Sequence, residues 1–316
     1  MNLNTLPFFD EIKDCKTVLL AGAGGGFDIY SGIPIYFALK NMGIKVVIGN
    51  YAFTRLSDTN AKVDFPHCYE IRGFETGVTY FPEKYLKKWL LMNGEDVDVY
   101  AFEKVGVERL NKVYKWLHKR YNFDAVVLID GGTDSLMFGD EEGLGTPQED
   151  IASMSAAYKS SIPKKFLVNL GFGVDHFHGV SHYHFLENVA VLAKEGGFLG
   201  VFSALKEMPE VQKYLALVKY ANEQMVDLES IVSNSIMSAI EGEFGNHQSI
   251  KRTRGSELFI NPLMAMYWCF DLKAVMRKNL YYPLIKDTHS ISELNAVLFD
   301  FREKLAHIRP RKPLPL

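Results

Sequence analysis

The residues best suited to chemistry are aspartates that follow glycine-rich turns. Three stretches carry them: Gly22-Ala23-Gly24-Gly25-Gly26-Phe27-Asp28, Asp130-Gly131-Gly132-Thr133-Asp134 and Gly171-Phe172-Gly173-Val174-Asp175. Glycine admits positive φ and lets a ligand approach the main chain. Free N–H groups at a following helix start favour an anion. An aspartate in such a turn accepts hydrogen bonds from sugar hydroxyls or ligates a hard cation; equally, it braces its own turn. Three such turns in one chain favour a shared small-molecule site. The candidate cofactor-binding residues are Gly22, Gly24, Gly25, Gly26, Asp28, Ser31, Gly131, Gly132, Thr133, Gly171 and Gly173.

Two of the stretches are longer echoes of one another. Gly24, Gly26, Asp28, Gly32, Tyr36 and Leu39 correspond to Gly171, Gly173, Asp175, Gly179, Tyr183 and Leu186. The acidic run Asp130 to Glu142 (DGGTDSLMFGDEE) supplies Asp130 and Asp134 as candidate ligands of a divalent metal such as Mg. Glu141 and Glu142 read as a solvated loop. Four of the nine histidines, His176, His178, His182 and His184, surround the second echo. His178 and His182 are four apart and could form a metal or general-base pair, although Gly179 marks a loop between them. The catalytic candidates are Asp134, Asp175 and His178. Thr146 and Glu149 have capping-box spacing, for which a structural role suffices. Lys251, Arg252 and Arg254 form a compact basic cluster, which reads as a surface turn or as a contact to a phosphate.

These turns need strands to hold them. Apolar runs predict strands at Thr17–Ala23, Ile44–Gly49, Asp96–Phe102, Asp124–Ile129, Lys165–Leu170 and Phe198–Ser203, with shorter ones at Cys68–Ile71 and Val78–Phe81. Helical spacing covers Ile33–Asn41, Gly106–Tyr121 and Ser181–Ala193. The alternation implies an α/β fold, a mainly parallel, Rossmann-like three-layer sheet with helices on both faces. In such a sheet the turns at the carboxyl ends of the strands line one crevice. Residues 1–205 form this part. Residues 206–316 read as a mostly helical C-terminal extension packed on it, with two helices in Pro209–Ile240 and helical or mixed segments in Asn261–Lys278 and Ile291–Leu305. Leu263–Phe270 (LMAMYWCF) is apolar enough for an interface, though more often core. The tail from Arg309 reads as extended or frayed.

Composition narrows the partners. Of 316 residues, 47% are hydrophobic and 23% charged, with a formal net charge of −3. That balance argues against nucleic-acid and membrane-surface partners. Three scattered cysteines form neither a zinc ribbon nor a disulfide framework. The N-terminus lacks a signal-peptide pattern, and no run of apolar residues is long enough to span a bilayer. The expected setting is cytoplasmic, with a small-molecule ligand and a possible homo-oligomer.

Two resemblances add to this reading. Gly22-Ala23-Gly24 followed by Ser31-Gly32-Ile33-Pro34 resembles the sirtuin cofactor turn, and Phe172 to His178 faintly resembles the sirtuin Q-N-I-D-x-x-H segment. Carried over, Asp175 would contact nicotinamide and His178 would be the base. The gap in the first motif is two residues longer than in sirtuins, Phe172-Gly173 replaces Gln-Asn, and no zinc-binding cysteine pairs are present. The resemblance therefore points to a nucleotide-type fold without assigning a deacylase. The blocks AGAGGGFDIYSGIPIYFAL, IDGGTDSLMFGDEEGLGTPQEDIASM and GFGVDHFHGVSHYHFLENVAVL look like the uncharacterised domain-of-unknown-function family 1152, which implies no activity.

Three functions remain open. One is an enzyme on a nucleotide, ribosyl or phosphorylated metabolite, working by glycosyl or ribosyl transfer or by metal-assisted hydrolysis, with a nucleotide or NAD, or a divalent metal, as cofactor. The others are a non-catalytic nucleotide or metabolite sensor and an oligomeric interaction protein. The first requires Asp28 and Asp175 to lie at the same end of the sheet.

Overall fold

A computed structural model describes residues 4–314 of the chain. The strands are β1 (Thr17–Gly22), β2 (Lys45–Tyr51), β3 (Lys62–Phe65), β4 (Cys68–Ile71), β5 (Val99–Phe102), β6 (Ala125–Asp130), β7 (Lys164–Asn169), β8 (Phe198–Ser203), β9 (Gly245–Asn246), β10 (Phe259–Ile260) and β11 (Met266–Asp271). The α-helices are α1 (Pro7–Ile12), α2 (Asp28–Ser31), α3 (Ile33–Asn41), α4 (Pro82–Met92), α5 (Val107–Tyr121), α6 (Pro147–Lys159), α7 (His182–Lys194), α8 (Pro209–Gln224), α9 (Ile231–Glu241), α10 (Leu272–Lys278), α11 (Tyr282–Ile285) and α12 (Ile291–Lys304).

Nine strands form one sheet in the order β3-β4-β5-β2-β1-β6-β7-β11-β8. The five from β5 to β7 are mutually parallel. Alternate residues of these strands enter opposite layers, as strand geometry requires. Val18 and Leu20 of β1 join a core with α1, α3, α4, α8 and α9. Leu19 and Ala21 join a second core with α5, α6, α7, α10 and α12. Strands buried on both faces read as unbroken apolar runs, which explains why β1, β6 and β7 were plain in the sequence.

The expected α/β, Rossmann-like class therefore holds. Three differences have physical causes. Val78–Phe81 is irregular, and Phe81 instead precedes α4, whose Pro82 suits a first helical turn. The segment Leu263–Phe270 divides into a short 3-10 turn and β11, which pairs antiparallel with both β7 and β8. Tyr267 and Cys269 face one core and Trp268 and Phe270 the other; periodicity cannot separate a doubly buried strand from a buried helix. The sheet thus recruits a strand from beyond residue 205. The tail from Arg309 is extended but not frayed, being bonded backbone to backbone with Asp140 and Glu142.

From β1 the chain proceeds to β2 on one side and later returns to β6 on the other. The strand order reverses between β1 and β6, and an open α/β sheet presents its ligand crevice at that point, outside the carboxyl ends of the strands.

Candidate functional site

Five aspartates gather at this crevice. Asp28 opens α2 after β1, Asp130 ends β6, Asp134 opens the following 3-10 turn, and Asp175 lies in the 3-10 turn Val174–His178 after β7. The fifth, Asp150, is in the first turn of α6. Asp28 and Asp175 thus lie at the same end of the sheet.

Four of these carboxylates have neutral donors. Asp28 Oδ2 accepts from the Gly25 N–H at 2.7 Å. Asp130 Oδ2 accepts from Ser135 Oγ at 2.6 Å and Asn169 Nδ2 at 2.7 Å. Asp134 Oδ2 accepts from the Thr146 N–H at 2.8 Å and its hydroxyl at 3.2 Å. Asp175 Oδ2 accepts from the Thr133 N–H at 2.6 Å and its hydroxyl at 3.2 Å. Asp150 is 5% exposed, and its carboxylate has neither a hydrogen bond nor an ion pair among the described residues. No Lys or Arg among them forms an ion pair with any of the five.

Oxygens of Asp28, Asp130 and Asp150 lie within 4.8 Å of one another. Oxygens on opposite sides of one cation stand about 4 Å apart for magnesium and about 5 Å for calcium. The trio therefore has a spacing that could hold a single oxygen-ligated cation. Glycine at two positions makes the convergence possible: a Cβ on Gly24 would lie 2.6 Å from Asp150 Oδ1, and one on Gly132 would lie 2.7 Å from Asp175 Oδ2. The space those side chains would fill is taken by carboxylates.

Burial raises the affinity of all five for protons, because removing charge from water is costly. The Asp28 carboxyl is pushed up to about 7 by burial, with the Gly25 N–H bond opposing and the charge of Asp134 adding. Burial, then the charges of Asp134 and its neighbours, holds Asp130, Asp150 and Asp175 well above the ordinary carboxylate range. Asp134 is raised by burial as well, against the pull of its two Thr146 bonds and of His178.

The remaining predicted residues divide. Thr133 and Gly132 line the cluster through Asp175. Gly131 packs against Asp28 and the hydroxyl of the buried Ser31. Gly22 lies against Asn50, and Gly25 and Gly26 against Phe53. Gly171 faces Ile236 and Val174, a packing position, whereas Gly173 faces His182 and Asn261. His178 stands exposed at the rim beside Asp134.

The structure departs from the sequence pattern at several residues. Asp134 lies outside the three-carboxylate group that holds Asp130, and its Oδ2 is bonded by Thr146. Asp150 takes its place, and the sequence hid it within an apparent helix cap. Thr146 donates to Asp134 and makes no cap bond, so the capping box is absent. His178 and His182 share no helix face: Gly179, at φ +92°, ends the turn holding His178, and α7 begins at His182. Glu141 is fully buried, accepting from the Phe138 and Gly139 N–H groups and from Arg309, whereas Glu142 is exposed as expected.

A family described as "Protein of unknown function (DUF1152)" matches residues 86–302. The chain belongs to that family. The matched span takes in Asp130, Asp134, Asp150 and Asp175 and begins beyond Asp28. No curated protein and no solved structure matches the chain, and the sirtuin-type resemblance finds no counterpart in these comparisons. Among the described residues, no helix is long and apolar enough to cross a membrane.

Proposed function

We propose that this DUF1152 protein is a divalent-cation-dependent enzyme that acts on a nucleotide or another small phosphorylated metabolite by metal-assisted hydrolysis or group transfer. The observation that carries the reading is Asp150, a buried carboxylate with no hydrogen-bond donor, aimed at Asp28 and Asp130. Buried carboxylates without a counter-charge are costly, and a cation removes that cost. Hard oxygen ligands favour magnesium, manganese or calcium over softer metals.

Asp28, Asp130 and Asp150 would hold the cation. When bound, such an ion polarises a phosphoryl oxygen and lowers the pKa of a water molecule. Ser135 and Asn169 fix the orientation of Asp130, and Thr133 fixes Asp175. His178, at the rim beside Asp134, has the position from which to take up or return a proton. Glycosyl or ribosyl transfer would draw on the same carboxylates, with Asp28 as the acid.

Titration calorimetry with magnesium and manganese, on the wild type and on Asp150→Asn, tests the cation site. Release of phosphate, base or sugar from a panel of nucleotides and sugar phosphates tests the reaction. Cation binding lost in the variant, together with cation-dependent turnover, is expected. Cation binding without turnover on any member of the panel favours the sensor reading. A wild type that binds neither ion at millimolar concentration overturns the proposal.

A further inference from the structure

The turn that carries Asp175 has a second side. It sends Asp175 inward to Thr133 and sends His176 and Phe177 outward to a groove of about 440 Å³. The opposite wall is the β9–β10 hairpin with Glu257 and Phe259. Phe177 is 76% exposed and Phe259 is 59% exposed. Among the described residues, the ring partner of Phe177 is the adjacent His178, at 5.8 Å between centroids. Phe259 is braced edge-on by Phe244, centroids 5.3 Å apart. His176 and His182 stack at 5.0 Å with an interplanar angle of 23°. Arg311 contacts the His176 ring at the rim.

Exposed phenylalanines lose hydrophobic energy unless something covers them. The groove has the volume of a small-molecule site rather than of a protein interface. Its walls combine flat aromatic faces with imidazole nitrogens and the Glu257 carboxylate, so a planar ring with a polar edge satisfies both. Burial, with Arg311 nearby, lowers the proton affinity of His176 and His182, which suits the stacked pair to an uncharged ring. One short turn joins this groove to the carboxylate cluster.

We infer that the groove between Phe177 and Phe259 is the nucleobase subsite of the same active site, which makes the substrate a nucleotide rather than a sugar phosphate or an inorganic polyphosphate. This inference rests on the cation-dependent reading above.

Calorimetry with the four nucleoside triphosphates, the corresponding monophosphates and inorganic tripolyphosphate, each with magnesium, provides the test on wild type, Phe177→Ala, Phe259→Ala and Asp150→Asn. Both phenylalanines are exposed, so their removal should leave the fold intact. Stacking on one aromatic side chain is worth roughly 1–3 kcal/mol per base, so each Phe variant should weaken binding of at least one nucleotide about 5- to 150-fold. Tripolyphosphate affinity should not change. Equal affinity for nucleotide and tripolyphosphate in wild type, or nucleotide affinity unaltered in both Phe variants, overturns the subsite while leaving the cation site standing. Nucleotide binding that depends on the phenylalanines but is indifferent to Asp150→Asn and to magnesium retains the subsite and overturns the cation reading. A wild-type dimer in light scattering that dissociates in Phe177→Ala assigns the aromatics to self-association and overturns the inference. Absence of binding by every probe overturns it as well.

Discussion

Asp130 and Asp134 lie at one end of a short acidic stretch, and Asp140 and Glu141 lie at the other; the fold treats the two pairs in opposite ways. Around Asp140 and Glu141 the C-terminal segment delivers Arg309. Its guanidinium bonds Asp140 Oδ1 at 2.7 Å, Glu141 Oε1 at 2.6 Å and Asn188 Oδ1 at 3.1 Å, and pairs with Glu187 as well. Around Asp130 and Asp134 the fold gathers three more aspartates and supplies no Lys or Arg partner among the described residues. A buried carboxylate is tolerated when paired and hydrogen-bonded, and otherwise holds a proton or awaits a cation. The Arg309 cluster thus carries its own counter-charge, and the crevice cluster has none among the described residues.

Removing the internal cation is the strongest way to break this contrast. Arg309→Ala leaves the fully buried Glu141 with neutral donors and no counter-charge and should cost about 3–5 kcal/mol, as expected when one partner of a buried pair is lost. Denaturant unfolding measures it, and added magnesium should restore none of the loss. A cost below about 1 kcal/mol would mean that the tail is an ornament and the two clusters differ less than their geometry says.

Acidity provides a second separation. Burial pushes the Asp28 carboxyl up to about 7, well above the roughly 4 of a free aspartate. Between those limits the native state holds a proton that the unfolded chain has released, so stability falls as pH rises. The slope is about 1.4 kcal/mol per pH unit for each retained proton. A bound cation must displace that proton, so magnesium affinity should rise over the same window. Thermal melts from pH 5 to 8, with and without magnesium, should converge at low pH and diverge at high pH. Parallel curves would place the cation elsewhere.

Asp150→Asn removes one of the crowded charges. At a magnesium concentration one hundred times the dissociation constant, the wild type should gain about 2.7 kcal/mol that the variant lacks. Without metal the variant should equal or exceed the wild type in stability, since it relieves repulsion among buried carboxylates. A variant that is less stable without metal would show that Asp150 is held by the fold and not by an ion.

The smallest effect is expected at Thr146. Thr146→Val deletes one hydroxyl bond to Asp134 and leaves the backbone bond in place, a loss of about 1 kcal/mol. Magnesium affinity should change little, because Asp134 is outside the group of three. A large loss of magnesium binding would return Asp134 to the ligand set.

The amino-acid sequence determined the layers and one end of the crevice. Unbroken apolar runs at β1, β6 and β7 and helical spacing at α3 and α5 encode local burial, which is a property of neighbouring residues. The turns after these strands carry Asp28, Asp130, Asp134 and Asp175, and in a parallel sheet residues at strand ends are brought together by connectivity alone. Three features depended on contacts between distant parts of the chain. Asp150 joins the site only because α6 packs with its first turn over Gly24. Glu141 meets its counter-charge only because Arg309, far along the chain, comes back to it. β11 is a strand only because β7 and β8 leave a place between them. Charge, burial and strand pairing at those positions are set by partners that no local window contains, and so tertiary structure alone decided which aspartates share a site and which acids are already neutralised.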